Sequence, residues 1–142
     1  MKEEVLFTRQ FEIYEVDLSD MKMGILPCII IQNDIGNRYS PTTIVMPLVR
    51  KKIEQKGLYF KIKLKNLGEL YVCASYMKVI DKSRLSHRSP IDIIEDRQII
   101  NQIERFYFAN AGLKVELVNG ERRIEALSDE ELNFFYKEAE EC

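Results

Sequence analysis

The chain has 142 residues, of which 46% are hydrophobic and 31% are charged, a balance that excludes an intrinsically disordered protein. No apolar run approaches the roughly 20 residues that a membrane-spanning helix needs, so we expect no membrane partner. The first residues include Glu3 and Glu4, where a secretory signal would carry basic residues. We therefore expect one cytoplasmic domain over residues 1–142.

Charge is unevenly distributed along the chain. The formal net charge is −2, yet residues 50–65 carry seven basic residues against one acidic residue. Residues 121–142 carry eight acidic and three basic residues. Binding to a phosphate backbone depends on the local field within a Debye length of about 8–10 Å, not on the net charge. The basic stretch therefore allows nucleic-acid binding. Its alternative interpretation is a solvated strand edge that resists aggregation.

The first half of the chain predicts five short strands. Apolar runs rich in β-branched and aromatic residues cover residues 11–18, 26–32, 42–49, 58–64 and 69–80. Residues 33–41 are dense in turn formers, and Pro47 indicates that the third strand lies near an edge or a bulge. Five short antiparallel strands that leave no long exposed edge predict a small, strongly bent barrel.

The second half begins with a predicted helix over residues 90–111. Ser89 fits the N-cap, Pro90 fits the first helical position, and Gly112 fits the stop. Apolar side chains recur at helical spacing between them, at Ile93, Ile100, Ile103 and Tyr107. We expect this apolar side to pack on the barrel. The alternatives are that the helix occupies a partner-binding groove of the barrel or enlarges an interface between two copies of the chain.

The last part of the chain predicts a hairpin and a final helix. Residues 113–118 alternate as a strand, and Asn119-Gly120 is a strong two-residue hairpin turn. Ser128 and Glu131 have the spacing of a capping box, which opens a helix with Leu132, Phe135 and Tyr136 on one side.

The three cysteines are odd in number and far apart, at Cys28, Cys73 and Cys142. Cys28 and Cys73 lie in apolar runs, so we expect buried free thiols rather than metal ligands or disulfide partners.

Two segments carry a recognisable pattern. Residues 24–49 begin G-I-L-P and continue through an apolar run, Q-N-D, a Gly/Asn turn, S-P-T and a second apolar strand. Residues 79–85 read V-I-D-K-S-R-L, and weaker matches lie at residues 17–19 and 127–132. Over about residues 9–85 and 124–141 the chain resembles the MazF/PemK toxins. Residues 86–123 are then an insertion, because family members pass almost directly from this strand to the last helix.

The resemblance implies a mainly β fold. It is a small half-open antiparallel β-barrel of the MazF/PemK/CcdB type, here with an inserted helix and hairpin and a C-terminal helix. The resemblance also implies a homodimer, a small antitoxin as partner, a cytoplasmic location and cleavage of single-stranded RNA. It implies no metal and no other cofactor, because the ribose 2′-hydroxyl is the nucleophile.

The chain departs from the family pattern at the positions that carry its chemistry. The family arginine of G-x-R-P aligns with Leu26, and the family threonine at the end of the second apolar strand aligns with Val49. The first loop, residues 20–24, is about four residues shorter than the family loop, which clamps the RNA. Loss of one transition-state donor costs about 10²–10³ in rate. We therefore expect endoribonuclease activity to be weakened or absent, which leaves the catalytic residues unknown.

Three residues are candidate substitutes for the missing catalytic groups. Lys22 lies in the shortened loop, Arg50 directly follows the threonine position, and His87 is the only histidine. Alternation along a strand would place Arg50 on the face opposite Val49 unless Pro47 forces a bulge. The alternative for His87 is an ordinary surface residue. The candidate RNA-binding residues are Lys22, Arg50, Lys51, Lys52, Lys61 and Lys63.

Two functions remain open from the sequence. One is a toxin-family protein that retains RNA binding or cleavage; the other is a non-catalytic module on the same barrel that binds an antitoxin, another protein or a nucleic acid. Two structural predictions accompany them. Asn33, Asp34 and Asn37 are expected to hold a turn through side-chain to backbone bonds, and Asp81 is expected to pair with Arg84.

Overall fold

The computed structural model describes residues 8–52, 57–86 and 89–141, with side chains of the last helix described up to residue 137. Within these ranges the chain forms nine strands and three helices. The strands are β1 (Glu12–Asp17), β2 (Ile25–Ile30), β3 (Thr42–Val49), β4 (Tyr59–Leu64), β5 (Gly68–Cys73), β6 (Lys78–Asp81), β7 (Asp92–Ile93), β8 (Leu113–Val118) and β9 (Glu121–Ala126). The helices are α1 (Asp34–Tyr39), α2 (Arg97–Asn110) and α3 (Asp129–Glu141).

A curled antiparallel sheet of seven strands forms the half-open barrel, which confirms the predicted fold class. Its strands follow the order β4-β5-β3-β2-β1-β7, and β6 also pairs with β3. One edge of β3 pairs with β2, and its other edge pairs first with β6 (Thr42 to Val45) and then with β5 (Leu48 and Val49). Because β3 belongs to both halves of the sheet, it forms the corner at which the barrel closes.

Pro47 lies inside the sheet, so the prediction of an edge position was wrong. The carbonyl of Ile44 accepts a hydrogen bond from Ile31 N (2.7 Å), which places the polar groups of Ile44 toward β2. By alternation, the nitrogen of Pro47 points toward the opposite edge. There it falls in the gap between the β6 register, which ends at Val45, and the β5 register, which begins at Leu48. A residue without an N–H costs no ladder hydrogen bond at that point.

The predicted fifth strand is broken into β5 and β6, a second correction. Residues Ala74–Tyr76 form a 3₁₀ turn between them. Ala74 N donates to Leu58 O (2.9 Å), Asn110 Nδ2 donates to Ala74 O (2.8 Å), and Ser75 Oγ accepts from Leu58 N (2.7 Å). These bonds satisfy the backbone at the break. The break directs β5 and β6 to separate parts of β3.

Residues 33–41, predicted as a turn, contain the short helix α1. Asn33 caps it by accepting from Gly36 N (2.8 Å), and Asp34 Oδ1 accepts from Gln10 N (2.8 Å). Asn37 is fully buried; its Nδ2 donates to Gln32 O (2.8 Å) and its Oδ1 accepts from Thr43 Oγ1 (2.6 Å). The three side chains therefore hold the segment as predicted, although the segment is helical.

The start of α2 also differs from the prediction. Residues 92 and 93 form β7 beside β1, and the helix begins only after Asp96, whose side chain accepts from Gln98 N (2.8 Å). The local signal at Ser89 and Pro90 was overridden because the free edge of β1 pairs with the segment that follows. The stop at Gly112 is confirmed, with a left-handed φ of 72°.

The main core lies between the inner face of the sheet and helices α2 and α3. Phe106 of α2 stacks on Phe60 of β4 (4.5 Å between ring centroids) and meets Phe135 of α3 edge-on (5.3 Å). Ile103 and Ala109 are buried in the same cluster. The prediction that the helix packs on the barrel is confirmed. Tyr136, predicted on the same side of α3, is instead 42% exposed.

The predicted hairpin and capping box are confirmed. β8 pairs with β9 through the Asn119-Gly120 turn, and both residues have positive φ. Ser128 Oγ accepts from Glu131 N and Glu131 Oε1 accepts from Ser128 N, each at 3.1 Å. The assignment of residues 86–123 as an insertion stays a prediction.

Cys28 and Cys73 are buried free thiols, as predicted, whereas Cys142 lies outside the described residues. Burial raises the pKa of both thiols, that of Cys73 to about 12, so both stay protonated near neutral pH. Across the part of the chain that the structure describes, no helix is long and apolar enough to cross a membrane.

Asn37→Ala tests how much the buried amide network stabilises the fold. The change leaves the Thr43 hydroxyl and the Gln32 carbonyl without their partner, and each unsatisfied group costs roughly 1–3 kcal/mol. We expect the free energy of unfolding, measured with urea, to fall by about 2–4 kcal/mol. Ile35→Ala, on the exposed side of the same helix, should change it by less than about 0.5 kcal/mol. Equal effects of the two substitutions would contradict this account.

Candidate nucleic-acid interface

The face of the sheet opposite α2 and α3 carries a small apolar cluster, separate from the main core and from a cluster around Tyr14, Val16 and Cys28. Alternation along β3, β4 and β5 turns Val49, Tyr59 and Cys73 away from the main core, and all three are buried together. Three partly buried residues pack against them, Leu26, Tyr71 and Tyr76. We call these six residues the tyrosine cluster.

Leu26 and Val49, the two positions predicted to depart from the family pattern, meet at this cluster. Both Leu26, in β2, and Val49, at the end of β3, pack in the tyrosine cluster and line one cleft of about 460 Å³. Charged side chains of Glu15, Arg50 and Lys51 also line this cleft. The side chains of Leu26 and Val49 present only carbon to it, so neither can donate a hydrogen bond to a phosphoryl oxygen.

Arg50 lines this cleft, whereas strand alternation predicted the opposite face. β3 ends at Val49 and Arg50 lies in the bend that follows, so the alternation of the strand no longer determines its direction. Its Nη1 donates to Glu69 O of β5 (3.2 Å). The guanidinium is thereby held beside the end of β5, at the edge of the cleft. Arg50 is the predicted substitute residue that shares the cleft with Leu26 and Val49.

Two lysines flank the ring of Tyr71. Lys61, the cross-strand partner of Tyr71, has its Nζ 5.5 Å from the ring centroid, and Lys52 has its Nζ 5.7 Å from the same centroid. Lys52 also lies 5.8 Å from the ring of Tyr59. These distances are within the range of cation–π attraction. The ammonium groups and the ring therefore form one surface at the border of the tyrosine cluster.

Lys63 continues the basic row on β4 and is exposed, opposite Glu69. Lys51 is exposed at the cleft. Of the six candidate RNA-binding residues, five therefore lie on or beside the β3–β4–β5 part of the sheet. The sixth, Lys22, does not.

Lys22 lies in the loop between β1 and β2, exposed and in a left-handed conformation with φ 60°. It is not among the described residues that line the Leu26–Val49 cleft. The loop is held down by its neighbour Asp20, which forms ion pairs with Lys78 and with Arg84 Nη1 (2.9 Å). These two cations lower the pKa of the Asp20 carboxyl.

The predicted pair between Asp81 and Arg84 was wrong. Arg84 pairs with Asp20, and Asp81 instead caps a 3₁₀ turn by accepting from Ser83 N (2.8 Å). The third substitute, His87, lies outside the described residues.

The sequence of the chain matches a known protein family. A family model described as PemK-like, MazF-like toxin of type II toxin–antitoxin system matches residues 9–105, more than two thirds of the chain. The chain belongs to this family. The chain is also similar to endoribonuclease EndoA of Bacillus subtilis, with 31% identity over 91 residues, or 58% of this chain and 78% of EndoA. Endoribonuclease MazF of Staphylococcus saprophyticus is 34% identical over 88 residues, or 56% of this chain and 73% of that protein.

Solved MazF structures share the fold at low sequence identity. A mycobacterial endoribonuclease in complex with its cognate antitoxin superposes with a TM-score of 0.59 at 17% identity, covering 75% of this chain and 97% of that one. The MazE–MazF structure from Deinococcus radiodurans gives 0.54 at 9% identity, covering 75% and 96%. At these identities the likeness concerns the β-barrel alone.

Sequence reasoning missed Tyr71 and Asp20. Tyr71 becomes visible as a partner of Lys61 only when the β4–β5 register is known, and the short turn before Gly68 was the signal that sets this register. Asp20 lies 58 residues from Lys78, and no local pattern announces such a pair.

Proposed function

We propose that this MazF/PemK-family chain is a toxin-like protein of a type II toxin–antitoxin system that binds single-stranded RNA and cleaves it weakly or not at all. The observation that carries the proposal is the meeting of Leu26 and Val49 in one cleft beside a row of basic side chains. The cleft supports loss of cleavage, and the basic row supports continued binding.

Cleavage by attack of a 2′-hydroxyl builds negative charge on the phosphoryl oxygens. A fixed arginine and a hydroxyl stabilise that charge through hydrogen bonds, and one such donor accounts for about 10²–10³ in rate. Leucine and valine supply neither bonds nor charge. Arg50 offers the nearest guanidinium, but its Nη1 already donates to the carbonyl of Glu69. We therefore place Arg50 in RNA binding rather than in catalysis.

RNA binding is supported by the local charge. Lys61 and Lys63 lie on β4, and Arg50, Lys51 and Lys52 follow the end of β3, on the other side of β5. The acidic residues described beside these five are Glu69 on β5 and Glu15 at the cleft. Side chains spaced along neighbouring strands can meet successive phosphates of an extended single strand. The net charge of −2 matters little to such contacts because of screening.

The proposal includes a homodimer and a small antitoxin as partners. Solved relatives occur with an antitoxin, and this chain leaves large apolar side chains exposed. Ile35 and Tyr39 are 72% and 79% exposed on one side of α1, and Val79 of β6 is 59% exposed. These residues favour the second candidate function, a non-catalytic module on the same barrel that binds an antitoxin or another protein.

A metal-free cleavage assay tests the enzymatic part. We expect the purified chain, in excess over a long single-stranded RNA and with EDTA present, to cleave at least about 10²-fold more slowly than an active family endoribonuclease. Leu26→Arg with Val49→Thr should not restore cleavage, because the first loop remains short. Cleavage by the unaltered chain at the rate of the active relative, or its restoration by these two changes alone, would contradict the proposal.

The salt dependence of RNA affinity tests the binding part. Each phosphate contact contributes a slope of about −0.7 to log K against log salt for a single strand. Lys61→Gln should weaken binding and make the slope shallower by about 0.7. Lys137→Gln, which removes an exposed lysine of α3, should leave affinity and slope unchanged. An affinity that does not vary with salt would rule out phosphate-driven binding and favour the protein-binding module.

A further inference from the structure

The surface around Tyr71 combines two features that phosphate binding alone does not require. Its centre is apolar and aromatic, since Tyr71 is partly exposed beside Leu26 and directly opposite Val49 in the strand register. Its border is cationic, since the ammonium groups of Lys52 and Lys61 lie within 6 Å of the Tyr71 ring centroid. The cationic groups would favour a phosphate, whereas the carbon surface of Leu26 and of the Tyr71 ring would only remove water from it. The Tyr71 hydroxyl is a donor that a phosphate could use, and Tyr71→Phe removes it.

An unpaired nucleobase fits both features. Every base has a flat π-face that stacks on an aromatic ring, and its ribose carries phosphates on either side. A base over Tyr71 would lie beside the partly buried carbons of Leu26. It would take the place of the ammonium groups of Lys52 and Lys61 over the ring, and these groups would then meet its phosphates. We propose that Tyr71 is a stacking platform for a nucleobase of single-stranded RNA, at the place where the family pattern would hold a scissile phosphate. This inference rests on the proposed RNA binding.

Two cross-strand pairs on the outer face of β4 and β5 differ in what lies opposite the lysine. Lys63 lies opposite Glu69, so a carboxylate-bearing residue faces it across the strands. Lys61 lies opposite Tyr71, and its charge is offset by no acid in that cross-strand pair. The next pair on the same face of β4 and β5 therefore has an aromatic ring where the first pair has an acidic residue. The stacking site is therefore centred on the Lys61–Tyr71 pair rather than spread along the whole row.

Affinity for two oligonucleotides of equal length separates stacking from charge. One is an oligouridine, and the other is the same sugar–phosphate chain without bases; both are measured by fluorescence anisotropy at one salt concentration. The chain should bind the oligouridine more tightly. Tyr71→Ala should weaken oligouridine binding between about fivefold and 150-fold and leave binding of the base-free chain unchanged. Tyr71→Phe should retain oligouridine affinity, because stacking does not use the hydroxyl.

Two variants act as controls. Tyr39→Ala removes a tyrosine that is 79% exposed on α1 and should change neither affinity. Lys61→Gln should weaken the binding of both oligonucleotides, because both carry phosphates.

The chain contains no tryptophan, so Tyr71→Trp introduces a single tryptophan fluorophore at the site. Its fluorescence should be quenched by the oligouridine and not by the base-free chain, which keeps the test valid if Tyr71→Ala fails to fold.

The outcomes distinguish the two proposals. If the unaltered chain binds both oligonucleotides equally, or if Tyr71→Trp is quenched equally by both, the stacking site is wrong and the proposed RNA binding stands. If the unaltered chain binds neither oligonucleotide, RNA binding itself is wrong, and the stacking site falls with it.

Discussion

The partnership of β3 with three other strands determines the shape of this molecule. One edge of β3 pairs with β2, and the other edge passes from β6 to β5 at Pro47, the residue that has no N–H to offer at the gap. The same change of partner brings the end of β3 between β2 and β5. Val49 therefore lies beside Leu26 on one side and Tyr71 on the other, and the cleft and the tyrosine cluster follow from that arrangement.

The site combines a hydrogen-bonded frame at one end of β3 with an apolar and cationic surface at the other end. The amide network of Gln32, Asn37 and Thr43 supports α1 and the start of β3, with Asn37 fully buried. This network belongs to the segment that resembles the family most. At the other end of β3, Leu26 and Val49, the two positions predicted to replace the family donors, present only carbon to the cleft. In the proposed function, this surface holds an unpaired strand through its charge and aromatic area and offers no donor at these two positions for bond breaking.

Much of the fold could be predicted from local signals, because they act within a few residues. The Asn119-Gly120 turn, the Ser128–Glu131 capping box and the strand over residues 58–64 were all confirmed. The predictions failed where residues distant in the sequence determine the local structure. Apolar residues continue through Ala74, so the break between β5 and β6 has no sequence signal; it depends on bonds from Leu58 and Asn110. Likewise, residues 92 and 93 pair with the edge of β1 as a strand, so α2 begins later than the local sequence predicts. The candidate site also depended on both kinds of information. The motif resemblance singled out Leu26 and Val49, whereas Tyr71 could be found only from the register of β4 and β5.

Methyl NMR spectroscopy of the chain with labelled leucine and valine side chains tests the central claim most directly. If a base stacks on Tyr71, beside Leu26 and Val49, its ring current should move the methyl resonances of these two residues upfield when oligouridine is added. The base-free sugar–phosphate chain should leave them in place while it perturbs the lysines. Equal shifts with both oligonucleotides, or none with saturating oligouridine, would contradict the account.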